Sequence, residues 1–115
     1  MLRALLKSKI HGATVTETEL FYEGSITLSP ELAAAADMMP GERVDVVNMN
    51  NGARLTTYVI IGEPNSNIVC LNGPAARLGE VGDQVHVLNY GYFEHDEAVE
   101  LEPTIVHVDG ENNPV

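Results

Sequence analysis

Two stretches of the chain, "GERVDVVN" at 41–48 and "GDQVHVLN" at 82–89, match class for class at an offset of 41 residues. Each reads glycine, acid, polar, valine, polar, valine, apolar, asparagine. Each therefore sets a Gly-acid turn before an alternating strand whose valines share a face. Chance likeness between two ordinary strand starts is the plainer explanation. Eight matched classes favour a pseudo-symmetric β-structure. The 115 residues make one domain with its own core. Two related sets of short strands inside it point to a small closed barrel, which removes free sheet edges.

The rest of the chain agrees with a mainly β reading. "ATVTETELF" is rich in Thr and β-formers, and "SITLS" alternates Ile26 and Leu28 on one face. "SPELAAAADMM" is the best helix: Ser29 can N-cap, Pro30 fits the first turn and Glu31 suits the helix dipole. "RVDVVNM" and "RLTTYVII" flank Asn50-Asn51-Gly52, a hairpin signal. "IVCL", "QVHVLNY" and "TIVHV" read as further strands, "NGPAARLG" as a turn leading into one helical turn, and "DGENNPV" as a frayed end.

Charge and cysteine use narrow the class. The net charge is −11, and the stretch from Glu94 onward carries seven acids and no base. Such a balance argues against a nucleic-acid partner, and the acidic tail reads as a solvated surface. No apolar run approaches the length that spans a bilayer, and "MLRALLKSKIHG" lacks the pattern of a signal peptide. The single cysteine, Cys70, excludes an internal disulfide framework and fits a reducing compartment, so a cytoplasmic setting is expected. The four histidines lack metal-ligand spacing, and no metal site is expected.

Four patches could carry chemistry. In "YEGS", the Ser25 hydroxyl can attack the Gly24 carbonyl if the backbone there is distorted, which glycine permits. Alone, Gly-Ser is far more often a turn before a strand. In "KIH", Lys9 and His11 share a strand face, as many surface pairs do. In "RLTTY", Arg54, Thr56 and Tyr58 alternate on one face with Thr57 opposite. Arg54 can grip a carboxylate and Tyr58 can donate a proton, but an edge strand facing water fits as well. In "NGPAA", a Gly-Pro turn can aim backbone N–H groups at an anion, or be a plain loop.

Taken in order, "KIHGATVT", "YEGSITLS", "NGARLTTY" and "LNGPAARLGEVGD" resemble the signature blocks of the aspartate 1-decarboxylase family, pyruvoyl-dependent enzymes that make β-alanine for pantothenate. The resemblance runs from residue 1 to about Val108, and "EHDEA" and "EPTIVHVDGEN" extend it. Two departures stand out: Thr27-Leu28 after the serine, and Pro74, which has no backbone N–H to offer.

The resemblance implies a closed six-stranded double-psi β-barrel with short helices, assembled as a homotetramer. It implies that one domain, 1–115, is made as a proenzyme and cleaves itself into 1–24 and 25–115. Ser25 attacks the Gly24 carbonyl to give an ester. β-Elimination frees the chain ending at Gly24, and hydrolysis with loss of ammonia leaves a pyruvoyl group in place of Ser25. That ketone takes up the electrons left behind as carbon dioxide departs. Pyridoxal phosphate is not expected, since the chain has only Lys7 and Lys9 as lysines and no phosphate cradle. By the same resemblance Tyr58 is the proton donor and Thr57 polarises the Gly24 carbonyl during cleavage. Arg54 and Lys9 hold the carboxylates of L-aspartate. His11, Tyr22, Asn72, Gly73, Pro74 and Ala75 line the pocket. Two rivals stay open on residues alone: a non-catalytic barrel adaptor with the acidic tail as its interaction surface, and a pyruvoyl decarboxylase for another acidic amino acid. Maturation unaided and maturation with a helper protein both fit.

Overall fold

A computed structural model describes residues 1–115. Its strands are β1 (Arg3–Thr14), β2 (Glu17–Glu19), β3 (Ser25–Leu28), β4 (Arg43–Asn48), β5 (Arg54–Ile61), β6 (Val69–Asn72), β7 (Gln84–Phe93) and β8 (Thr104–His107). Two short helices, α1 (Pro30–Ala35) and α2 (His95–Glu100), and a 3-10 turn over Gly73–Arg77 complete it.

The repeat found in the sequence is a symmetry of the fold. β4 and β7 pair antiparallel with Val46 opposite Val87, the two residues that the repeat equates. Val44 then faces Asn89 and Asn48 faces Val85, so a pseudo-twofold axis passes through the valine pair. The turns obey it too. Gly41 N–H donates to the Val59 carbonyl and Gly82 N–H to the Val15 carbonyl, each at 2.8 Å. Val59 N–H returns a bond to Glu42 O, and Val15 N–H to Asp83 O. The acid side chains cap their own turns alike: Glu42 accepts from Met39 N–H and Asp83 from Glu80 N–H, both at 3.0 Å. Gly41 and Gly82 have φ of 84° and 95°, a region that glycine enters without a Cβ penalty.

The same axis relates β3 to β6, which pair antiparallel, and equates the parallel pair β2–β6 with β3–β5. The strand order is β2-β6-β3-β5-β4-β7-β1-β8. Strand-ladder hydrogen bonds do not close this order into a ring. The chain itself spans the opening, because β1 leads into β2 through Val15 and Thr16. At that seam Thr16 N–H donates to the Val69 carbonyl.

The hairpin forms where the sequence places it, and the first helix starts there but stops at Ala35, short of the expected Met38-Met39, with Asp37 in the left-handed region at φ 52°. Val47 faces Arg54 across the Asn50–Gly52 turn, and Asn48 Oδ1 accepts from Asn50 N–H at 2.8 Å. Ser29 Oγ caps α1 by accepting from Leu32 N–H. The core is a single cluster that includes Ile10, Ile26, Val46, Val59, Leu71 and Val87, so valines from both copies of the repeat meet inside it.

One expectation needs correction. The end "DGENNPV" is not frayed. Asn112 is buried, accepts from Thr14 N–H and donates to the carbonyls of Thr14 and Asn67, while Val115 N–H reaches His107 O. The acidic stretch "HDEAVE" is a solvated surface, as expected: it forms α2, capped by a reciprocal pair between Glu94 and Glu97, with no side chain buried.

Candidate active site

Ser25 opens β3 and is fully buried. Burial there follows from its strand partner, since β3 runs antiparallel to β6 with Ser25 opposite Asn72. Asn72 Nδ2 donates to Ser25 Oγ at 2.9 Å and to Thr27 Oγ1 at 2.8 Å. The Ser25 hydroxyl donates back to the Glu23 carbonyl at 3.3 Å. The oxygen thus sits inside its own turn and under an amide donor that can stabilise negative charge on it.

Gly24 lines a cavity of about 380 Å³, together with Leu55, Thr56, Thr57, Tyr58, Pro74, Ala75 and Leu78. Five sequence-predicted residues therefore meet at one place: Gly24, Thr57, Tyr58, Pro74 and Ala75. Ser25 and Asn72 lie directly behind Gly24 along the strand pair.

Gly73 is what lets these segments approach. Its φ is +65°, and a Cβ there would lie 2.5 Å from Tyr22 O and 2.9 Å from Gly24 N. Gly24 itself is not in the left-handed region, and a Cβ on it would meet only Pro74 Cδ at 3.5 Å, ordinary contact. The special backbone expected at Gly24 therefore belongs to Gly73, one strand away.

The remaining predicted residues do not line this cavity. Tyr22 is exposed on the loop before β3. Arg54 opens β5 on the solvent side, and neither it nor Lys9 takes part in an ion pair. Lys9 lies in one lateral row with Leu88, Asp45 and Thr56. β7 and β4 therefore stand between Lys9 and Thr56 along the sheet, three strand steps apart. His11 sits on β1 with its ring centroid 4.1 Å from His86 and 5.0 Å from His107. His86 Nδ1 accepts the Gly12 N–H at 3.1 Å. Burial, then Lys9, then His107 hold His11 below its ordinary value. Burial, then His11, then Lys9 do the same for His86.

Two features escaped the sequence reading. Cys70 and Thr27 join the Asn72 network, with Cys70 Sγ 3.2 Å from Asn72 Oδ1. The two-residue spacings Ser25–Thr27 and Cys70–Asn72 were visible, but not that β3 would pair with β6. His86 and His107 likewise reach His11 only through the β1–β7 and β1–β8 ladders. A second cavity of about 390 Å³, against Glu42, Arg43, Asn89, Tyr90 and Tyr92, contains none of the predicted residues.

Comparison with known proteins agrees over the full length. Residues 1–115 match the family model described as aspartate decarboxylase. The chain is 56% identical over 115 residues to a protein named aspartate 1-decarboxylase from Desulfitobacterium hafniense strain DCB-2, covering 100% of this chain and 91% of that one. It is 51% identical over 113 residues to proteins of the same name from Listeria welshimeri and Listeria monocytogenes, covering 98% of this chain and 89% of theirs.

Proposed function

The chain belongs to the aspartate decarboxylase family, and from that membership we propose that it decarboxylates L-aspartate to β-alanine and carbon dioxide for pantothenate, and so coenzyme A, biosynthesis. Membership favours an enzyme over an adaptor, and the names of the relatives favour aspartate over other acidic amino acids.

Maturation is proposed at Gly24–Ser25. The observation that carries it is the placement of a fully buried serine hydroxyl under the Asn72 amide, with the preceding glycine facing the Thr57–Tyr58 cavity. Ser25 Oγ adds to the Gly24 carbonyl and the peptide becomes an ester, the Ser25 nitrogen becoming a free amine. Elimination breaks the Cβ–O bond, releasing Gly24 as a carboxylate and leaving dehydroalanine. Water replaces the nitrogen, ammonia leaves, and a pyruvoyl group begins the 25–115 chain. The residues fit that group: Ser25 is enclosed, and Gly24 opens onto a cavity. When formed, it supplies the electron sink for loss of carbon dioxide.

The chain's own side chains do the rest. Thr57 polarises the Gly24 carbonyl during cleavage. Tyr58 holds the proton that is returned to the substrate carbon. Asn72, Gly73, Pro74 and Ala75 shape the wall. Arg54 and Lys9, free of ion pairs, are cations available to carboxylates, with His11 and Tyr22 beside them in role. Because Lys9 lies about three strand steps from the cavity row, an assembly of copies, expected as a homotetramer, would be the means of completing the site.

The barrel reading extends the fold in the same way. Counting β1 and β2 as one run across Val15–Thr16 gives a six-membered cycle of β1/β2, β6, β3, β5, β4 and β7. The pseudo-twofold and the two parallel pairs support a double-psi arrangement. The free, buried Cys70 fits a cytoplasmic setting.

The test is intact-mass analysis with an activity assay. Wild type should appear as two chains, and Ser25→Ala as one chain without activity. A Ser25→Ala chain that releases β-alanine would end the reading.

A further inference from the structure

Ser25, Thr27, Cys70 and Asn72 form a closed box on the β3–β6 pair. Ser25 is the register partner of Asn72, and Thr27 that of Cys70. The two-residue spacing on each strand turns all four side chains to the same side. Asn72 is the hub. Its Nδ2 gives one hydrogen to Ser25 Oγ and the other to Thr27 Oγ1, while its Oδ1 receives the Cys70 thiol at 3.2 Å. Cys70 and Asn72 are each 3% exposed, so water competes little for these bonds.

A primary amide can sit in two senses, related by a half-turn of its end group. In the sense observed, both N–H groups meet hydroxyl oxygens and the oxygen meets an S–H donor. In the reverse sense Nδ2 would face the sulfur, a weak acceptor, and Oδ1 would face Ser25. The difference matters to the chemistry. An N–H aimed at Ser25 Oγ stabilises the negative charge that develops as that oxygen attacks, and an amide oxygen there would oppose it.

We propose that Cys70 and Thr27 are positioning residues for maturation, holding the Asn72 amide in the sense that presents Nδ2 to Ser25. The inference rests on the reading that Ser25 is the maturation nucleophile. Burial, with the carboxylates of Glu17 and Glu19, pushes the Cys70 thiol up to about 11, so it remains an S–H donor through the neutral range. Glu17 stands opposite Cys70 on β2.

The test follows cleavage over time in freshly purified full-length chains, by gel and intact mass, with the unfolding midpoint measured on each. Cys70→Ala and Thr27→Val should cleave roughly three- to tenfold more slowly, the worth of one hydrogen bond. Cys70→Ser keeps a donor and should return close to the wild-type rate. Thr27→Val, nearly isosteric, supplies the same test should Cys70→Ala fail to fold. A wild-type rate in both Cys70→Ala and Thr27→Val overturns the proposal. Equal slowing in Cys70→Ala and Cys70→Ser also overturns it, because the effect would then be packing and not donation. In either case an uncleaved Ser25→Ala chain leaves the nucleophile reading standing, whereas cleavage of Ser25→Ala removes both.

Discussion

Asn72 Nδ2 stands 2.9 Å from Ser25 Oγ, across one register pair of two antiparallel strands. A donor held by a strand partner moves little relative to the oxygen it serves. If cleavage proceeds through attack by that oxygen, Asn72→Ala removes the only side-chain donor to it. A hydrogen bond to a charge-bearing group is worth roughly 1.5–3 kcal/mol. Cleavage of Asn72→Ala should therefore slow by about ten- to a hundredfold, measured by the disappearance of the full-length band. An unchanged rate would place the charge stabilisation elsewhere.

Gly73 and Gly24 should respond in opposite ways to the same added methyl. At Gly73 the backbone is left-handed and the Cβ would lie 2.5 Å from Tyr22 O. Gly73→Ala must displace the 22–24 segment, at a cost of about 1–3 kcal/mol. At Gly24 the new Cβ meets Pro74 at ordinary contact distance. Gly24→Ala should thus fold with nearly wild-type stability, while Gly73→Ala loses both stability and cleavage. Equal denaturant midpoints for the two variants would contradict this.

The symmetry was legible because two strands repeat the same eight residue classes, and the structure pairs them through Val46 and Val87. The hairpin at Asn50–Gly52 and the cap at Ser29 were legible because local turn and cap chemistry decides them. The Asn72–Ser25 contact was not. It depends on a strand pairing 47 residues apart in sequence, which no local pattern encodes. The ordered C-terminus was hidden for a similar reason, since Asn112 earns its burial only by reaching Thr14 and Asn67. Arg54 and Lys9 were singled out by the resemblance as holders of carboxylates, yet no local pattern says that β7 sets the β4–β5 hairpin apart from the strand of Lys9.

Cofactor making and cofactor use should separate at Tyr58 and Arg54. Tyr58 lines the cavity beside Gly24 but makes no side-chain hydrogen bond to Ser25, Thr27 or Asn72. Tyr58→Phe should cleave normally and release β-alanine about 10²–10⁴-fold more slowly, the usual worth of a positioned general acid. Arg54→Ala should also cleave, but lose roughly ten- to a hundredfold in kcat/KM for aspartate, as expected for a lost charge-assisted bond. Gel, mass and product release on one preparation distinguish the two. Failed cleavage in Tyr58→Phe would place it in maturation, and wild-type saturation in Arg54→Ala would remove Arg54 from the site.

The histidine cluster makes stability depend on pH in a defined direction. His86 Nδ1 accepts the Gly12 N–H at the β1 bulge, a bond that protonation abolishes. His86 also lies against His11, which neighbours His107, and Lys9 is on the same strand. β4 presents Val47 opposite His86, with Arg54 beyond it on β5, so these neighbours supply no carboxylate to welcome a proton. Both His11 and His86 are held below the ordinary value of about 6.5. As pH falls below about 6.5, the unfolded chain binds protons that the folded chain refuses, so stability falls with pH. The contribution is complete above that value. The carboxylates held low, Glu42, Asp83 and Asp109, remain ionised down to the ordinary carboxylate range and act only below this window. Partial exposure of the rings keeps the effect modest. The urea midpoint should drop between about pH 7.5 and 5.5 in wild type, and the drop should be smaller in His86→Gln, which cannot titrate but retains an acceptor oxygen. A midpoint that rises on acidification would mean that the imidazolium forms are favoured in the folded cluster, against the geometry of four cation-forming groups gathered on two adjacent strands and β8.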